Sequence, residues 1–71
     1  MSDLGGFSGT RVVVILKKMG FSHIRTKGSH AVLRRLGDVC VVPLHNELTP
    51  GTLRSVLRQA GITKDEFLSN I

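Results

Sequence analysis

Residues 21–43 read FSHIRTKGSHAVLRRLGDVCVVP, and short runs of β-forming side chains in this segment predict a small sheet. Three strands are expected, over residues 22–26, 29–35 and 39–44. The connections between them contain Gly28 and Gly37 and are short enough to be hairpin turns. Strands joined by such turns run antiparallel, so the segment predicts a three-stranded antiparallel meander.

Alternation along the strands assigns the side chains to the two faces of this sheet. It places Ile24 on the face opposite to His23 and Arg25. Pro43 has no N–H to donate to a neighbouring strand, so the third strand is expected to reach an edge or its end there. In the second strand, alternation separates two sets of residues, Ala31 and Leu33 on one face and His30, Val32 and Arg34 on the other.

An amphipathic helix is predicted over residues 10–19, before the strands. Its apolar residues recur at helical spacing, at positions Val12, Ile15, Leu16 and Met19. The β-branched run at 12–15 favours a strand, but Lys17 and Lys18 followed by Gly20 are typical of a helix end. These helix-end signals therefore favour a helix over a strand for residues 10–19.

A second helix follows the strands and has clear start and stop signals. Thr49 is a suitable N-cap, Pro50 suits the first helical position and Gly61 suits the end. The apolar stripe between them consists of Leu53, Val56, Leu57 and Ala60. Thr63 and Glu66 have the spacing of a capping box, which predicts a short helical turn near the C-terminus. The predicted fold class is α+β, with the helices on one face of the sheet.

Length and composition limit what the protein can be. A chain of 71 residues, 41% hydrophobic and 21% charged, is typical of one globular domain spanning 1–71. No apolar run approaches the roughly 18 residues of a membrane-spanning helix. Residues 1–7 lack a signal-peptide pattern and are expected to form a flexible lead-in, so we expect a cytoplasmic protein without membrane contact. The single cysteine, Cys40, excludes an internal disulfide and is expected in the core.

Positive charge is concentrated in the first half of the chain. Seven of the ten lysines and arginines lie within residues 4–37, which contain no acidic residue. This distribution predicts a surface that binds a polyanion. The chain has only three aromatic residues, so contacts to a nucleic acid are expected mainly at its backbone. The few acidic residues are scattered, and neither a metal site nor another cofactor is expected.

Three histidines, His23, His30 and His45, are the candidates for proton transfer, because imidazole titrates near neutral pH. Of the three, His30 has the neighbours that best suit proton transfer near a phosphate. It follows Gly28, which permits close approach of a ligand, and Ser29, which can bind a phosphate or orient the ring. The surrounding cations are Arg25, Lys27 and Arg34. A proton acceptor among cations suits attack on a phosphodiester.

RNA carries its own nucleophile, the ribose 2′-hydroxyl, so a base and positive charge suffice for its cleavage. The residues alone leave the general acid open between His45, His23, Lys27 and water. They also leave a plain basic binding module as the alternative to an enzyme.

Four motifs occur in order along residues 8–68: LKKMGF at 16–21, RTKGSH at 25–30, VVPLH at 41–45, and GTLR at 51–54 leading to QAGI at 59–62. In this order they resemble the HicA toxins of bacterial toxin-antitoxin pairs. The resemblance implies a fold like the double-stranded-RNA-binding domain, with helix, three strands and helix. It also implies a metal-independent, ribosome-independent mRNA interferase whose catalytic histidine is that of the glycine-serine-histidine motif, here His30.

The resemblance further implies a HicB-like antitoxin that covers the active site and often binds operator DNA through a separate domain. Residues expected to bind RNA or support the site are Arg25, Lys27, Gly28, Ser29, Arg34 and His45. Ala31 departs from the bulkier or polar residue of many relatives. Two other functions fit the same fold: a non-catalytic RNA-binding module, and a subunit that only pairs with a protein partner.

Overall fold

The computed structural model describes residues 3–71. The elements are, in chain order, α1 (Gly9–Lys18), β1 (Ser22–Lys27), β2 (His30–Arg35), β3 (Asp38–Pro43), α2 (Pro50–Ala60) and α3 (Lys64–Leu68). The strands form one antiparallel sheet in the order β1-β2-β3. The predicted α+β fold of helix, three antiparallel strands, helix and short C-terminal helix is thereby confirmed, with each boundary of α1 and the strands within one residue of its expected position.

Local hydrogen bonds explain where α1 begins and ends. The Ser8 hydroxyl accepts from the backbone N–H of Arg11 at 3.1 Å, which satisfies one of the free donors at the helix start. At the other end, Gly20 adopts a φ of +97°, and the Phe21 N–H donates to the carbonyl of Leu16 at 3.0 Å. This ending turns the chain back so that Phe21 is buried against the core.

The second and third helices have the caps that the sequence predicts. The Thr49 hydroxyl accepts from the N–H of Thr52 at 3.2 Å, and Gly61 adopts the left-handed conformation just after α2. Thr63 and Glu66 form a complete capping box, with reciprocal hydrogen bonds of 2.8 and 3.1 Å.

The core lies between one face of the sheet and the helices α1 and α2. Its sheet side consists of Ala31, Leu33, Cys40 and Val42, all of them buried. Leu4 and Phe7, which were expected in a flexible lead-in, are also buried, and the Phe7 ring meets Phe67 edge-on at a centroid distance of 5.2 Å. Residues 1–2 of the predicted lead-in lie outside the described residues. No helix within residues 3–71 has the length and hydropathy to cross a bilayer.

Candidate functional site

The helices leave the other face of the sheet uncovered. Cross-strand pairing arranges this face in three rows, which are Ser22, Arg34 and Val39, then Arg25, Val32 and Val41, then Lys27, His30 and Pro43. We refer to these nine residues as the open face. None of them is buried, because their side chains point away from the helices. The open face therefore combines His30 with three of the seven cations in the basic half of the chain.

An irregularity in β1 brings two of these cations to the open face. His23 pairs with Leu33, whereas Arg25 pairs with Val32, so the register shifts at Ile24. The prediction that His23 and Arg25 share a face is thus wrong, because a β-bulge adds one residue between them. Without the bulge, Arg25 would lie opposite Ala31 on the helix side. The bulge is what places Arg25 and Lys27 beside His30.

His30 begins β2 directly after a tight turn. It pairs across the hairpin with Lys27, and the two turn residues between them are Gly28 and Ser29. Gly28 has a φ of +60°, in the left-handed region that glycine tolerates best. Directly opposed residues in antiparallel strands have Cβ atoms about 5 Å apart, so the Lys27 and His30 side chains start as near neighbours. His30 is exposed at the end of the sheet, where a polynucleotide can reach it.

The segment after β3 lies against the same turn. The Leu44 N–H donates to the Ser29 carbonyl at 2.7 Å, and the Gly9 N–H donates to the His45 carbonyl at 2.9 Å. These two bonds fix the backbone of His45 between the turn that carries His30 and the start of α1. The His45 side chain is exposed. The structure therefore brings the segments carrying Gly28, Ser29, His30 and His45 together at one end of the sheet.

Gly9 explains how the His45 segment can approach so closely. A Cβ added at this position would lie 2.0 Å from the carbonyl oxygen of Pro43 and 2.7 Å from the Cα of Leu44. Only glycine allows helix and loop to meet at this distance. This role of Gly9 was not predicted, because it depends on a close contact with residues far away in the sequence.

His23 lies apart from the other two histidines. It is paired with Leu33, three positions from His30 along β2, which is roughly 10 Å at the rise of a strand. Its ring Nε2 lies 2.7 Å from the Thr26 hydroxyl, on the helix side of β1. The structure therefore separates His23 from the candidate site.

The charges of the open face are uncompensated. None of its nine residues is acidic, and within residues 3–71 no carboxylate forms an ion pair with Arg25, Lys27 or Arg34. Arg35 is different: its guanidinium donates to the Met19 carbonyl at 3.0 Å and stacks 4.7 Å from the Phe21 ring centroid, so it holds α1 against β2. The open face thus presents positive charge that the described chain does not neutralise.

Cys40 has a structural position. It is fully buried on the helix side of the sheet, and burial raises the pKa of its thiol to about 11. A thiol with such a pKa stays protonated at neutral pH, and thiolate is the nucleophilic form. Cys40 therefore packs in the core and takes no part in the chemistry of the open face.

One feature of the open face was not predicted as part of the site. Val39 and Val41 are 48% and 37% exposed on β3, next to the partly exposed Val32. The alternation of Val39, Cys40, Val41 and Val42 carried this signal, because every second residue had to face away from the core. The open face is thus cationic along β1 and β2 and aliphatic along β3.

Within residues 3–71, no group of three or more histidine, cysteine, aspartate or glutamate side chains is arranged to hold a metal ion. A search among curated proteins finds no significant match. The model of the family described as "HicA toxin of bacterial toxin-antitoxin" matches residues 9–62, which include α1, the whole sheet and α2. Because this match covers most of the chain, the protein belongs to the HicA toxin family of bacterial toxin-antitoxin pairs.

Proposed function

We propose that the protein is the toxin of a type II toxin-antitoxin pair and acts as a metal-independent endoribonuclease on mRNA, with His30 as general base. The observation that carries this proposal is the exposure of His30 on a sheet face that holds Arg25, Lys27 and Arg34 and no acidic residue. An imidazole in such surroundings can accept a proton while the cations hold the phosphate.

The proposed reaction begins with the ribose 2′-hydroxyl. His30 removes its proton, the 2′-oxygen attacks the adjacent phosphorus, and the bond from phosphorus to the 5′-oxygen breaks. The products are a 2′,3′-cyclic phosphate and a free 5′-hydroxyl. Negative charge grows on the phosphate oxygens during the attack, and Lys27, directly across the hairpin from His30, is placed to stabilise it.

The leaving 5′-oxygen needs a proton. Two of the candidates named from the sequence, Lys27 and His45, lie at the His30 end of the sheet. His23 does not, since it is several residues away on the helix side. We assign the proton donor to His45, because Lys27 is the better placed charge for the phosphate and Gly9 anchors the His45 backbone.

The cations at Arg25 and Arg34 contribute to RNA affinity in this proposal. Arg25 lies in the row next to that of His30, and Arg34 lies one row further along the open face. Contacts of this kind go to phosphates and carry little sequence information. No phenylalanine ring is available for stacking, since Phe7, Phe21 and Phe67 are all buried. We therefore expect weak sequence preference in the cleavage of single-stranded RNA.

The second partner in this proposal is a HicB-like antitoxin. A protein that covers the open face would block access to His30 and cancel its charge with acidic side chains. The exposed Val39 and Val41 provide aliphatic area that an RNA strand does not need and a protein surface can bury.

The direct test compares three purified proteins on a fluorescent single-stranded RNA. His30→Ala is expected to lower the cleavage rate by about 100-fold or more, the typical contribution of a general base. His23→Ala is the matched control, since it removes an exposed histidine of the same sheet outside the site. Equal rates for His30→Ala and the parent would contradict the assignment of the base.

Two further outcomes separate this proposal from the other functions of the fold. A parent protein that binds the RNA but never cleaves it would be a non-catalytic RNA-binding module. One that neither binds nor cleaves RNA, yet forms a stable complex with an antitoxin, would be a pairing subunit. Activity that survives excess EDTA is expected, and its loss on chelation would contradict a metal-independent mechanism.

A further inference from the structure

A groove lies on the helix side of the molecule, away from the open face. It is formed by Leu4, by α2 and by the start of α3, and it has a volume of about 480 Å³. Volumes of about 300 to 1,000 Å³ are typical of ligand-binding sites. Its lining residues are Leu4, Arg54, Leu57, Arg58, Ile62 and Lys64. None of them belongs to the proposed ribonuclease site.

The rim of this groove carries the three cations of the second half of the chain. Arg54 and Arg58 are one helical turn apart on α2, roughly 6 Å along the axis, and both are exposed. Within residues 3–71 neither guanidinium has an ion pair or a hydrogen bond to another residue. Lys64 pairs with Asp3 at 3.3 Å, but both side chains are at least half exposed, so this pair is weak.

The floor of the groove is aliphatic. It consists of Leu4, Leu57 and Ile62, whose side chains are almost completely buried. The floor therefore offers a small apolar area to a ligand, and the aliphatic parts of the arginine side chains enlarge this area. No aromatic residue lines the groove, so a nucleobase would find no ring to stack on.

We propose that this groove binds an acidic segment of a partner protein, with two carboxylates one helical turn apart and a leucine-like side chain between them. Each carboxylate would accept a bidentate pair of hydrogen bonds from Arg54 or Arg58, which a guanidinium makes well and an ammonium does not. The aliphatic side chain would contact Leu57 and Ile62. The aliphatic floor beneath the cations, which a phosphate backbone does not use, favours such a peptide over RNA. The proposal is independent of the proposed ribonuclease activity.

The test uses a fluorescein-labelled peptide built from the repeat Glu-Ala-Ala-Leu-Glu and measures its binding to the full chain by fluorescence anisotropy. The Arg54→Glu/Arg58→Glu variant is expected to bind it at least about tenfold more weakly, because two charge-assisted pairs are lost. Lys17→Glu/Lys18→Glu is the matched control. It makes the same change of net charge on the exposed end of α1, outside the groove, and is expected to stay within about twofold of the parent.

Several controls make the outcome decisive. A peptide with Gln in place of Glu, and one with Ala in place of Leu, should each bind more weakly than the probe. If charge reversal disturbs folding, as judged by circular dichroism, Arg54→Gln/Arg58→Gln replaces it and should show the same order of effect. Equal losses in the groove variant and the α1 variant would overturn the proposal, since binding would then follow net charge alone. It would also be overturned if single-stranded RNA, and not the peptide, lost affinity selectively in the groove variant.

Discussion

Gly9 is the residue whose substitution tests the geometry of the site most sharply without touching a charged or titratable group. In Gly9→Ala, the new Cβ would lie 2.0 Å from the Pro43 carbonyl oxygen and 2.7 Å from the Leu44 Cα. Both obstacles are backbone atoms, so no side chain can rotate away. The start of α1 and the segment leading to His45 must separate until the shortest contact grows from 2.0 Å to at least 3.0 Å.

The expected loss of stability follows from this displacement. Forcing an extra methyl group into a packed site costs about 1 to 3 kcal/mol. Separation also breaks the 2.9 Å hydrogen bond from the Gly9 N–H to the His45 carbonyl. A lost hydrogen bond of this kind adds about 1 kcal/mol. A domain of this size has a total stability of about 4 to 10 kcal/mol, so Gly9→Ala should remove a large fraction of it.

Gly51→Ala is the matched control for this substitution. Gly51 also lies in the first turn of a helix, but a Cβ there would meet nothing within 4 Å. Alanine is favoured over glycine in helices, so this variant should be as stable as the parent or slightly more stable. Urea unfolding followed by circular dichroism measures both free energies of unfolding.

The cleavage rates of Gly9→Ala and Gly51→Ala also test the catalytic role of His45. A displacement of about 1 Å in a catalytic group can lower a rate by about 100-fold. If His45 acts from the segment that Gly9 holds, the folded fraction of Gly9→Ala should cleave RNA far more slowly than Gly51→Ala. A Gly9→Ala protein as stable as Gly51→Ala would refute the close approach itself. A destabilised but fully active one would refute only the role of His45.

Four other predictions have defined outcomes. Arg25→Gln and Arg34→Gln should each reduce the slope of log affinity for single-stranded RNA against log salt by about 0.7, the value for one phosphate contact, whereas Lys18→Gln should not change it. Burial raises the pKa of the Cys40 thiol to about 11, so this thiol should resist iodoacetamide in the native protein at neutral pH and react in urea. Mass spectrometry measures the labelling. Labelling of the native protein at the rate of the unfolded protein would contradict the buried position of Cys40. Thr63→Ala should lower the free energy of unfolding by about 1 kcal/mol through loss of the N-cap of α3. Hydrogen bonds from the backbone and then the side chain of Thr63 lower the pKa of Glu66 in the folded protein. Its carboxylate therefore stabilises the fold above the unfolded pKa and loses that effect as the pH falls through the folded pKa, so the difference between parent and Glu66→Gln should shrink in acid; a constant difference would contradict the capping box.

Much of the fold was predictable because its signals are local. Gly28 marks the first hairpin, and Pro50 and Gly61 mark the ends of α2, each through its own backbone preference. Alternation in β2 correctly separated Ala31 and Leu33 from His30. The position of His30 on the uncovered side of the sheet followed directly from these signals.

Three features were out of reach of local reasoning, and all depend on contacts between distant segments. The bulge at Ile24 is set by the pairing of β1 with β2, and strict alternation therefore gave the wrong face for Arg25. Leu4 is buried in the core and lines the same groove as Leu57 and Ile62, far away in the sequence. The closeness of Gly9 to Pro43 likewise depends on how α1 docks beside the end of β3.

His30 is proposed to withdraw the proton of a ribose 2′-hydroxyl. The most direct measurement uses a DNA oligonucleotide that contains a single ribonucleotide, with product ends identified by mass spectrometry. The parent protein should cleave only after the ribonucleotide, leaving a 2′,3′-cyclic phosphate. His30→Ala should bind the strand equally well and cleave at least about 100-fold more slowly. Cleavage of the all-DNA strand, or equal rates for the parent and His30→Ala, would contradict this role of His30.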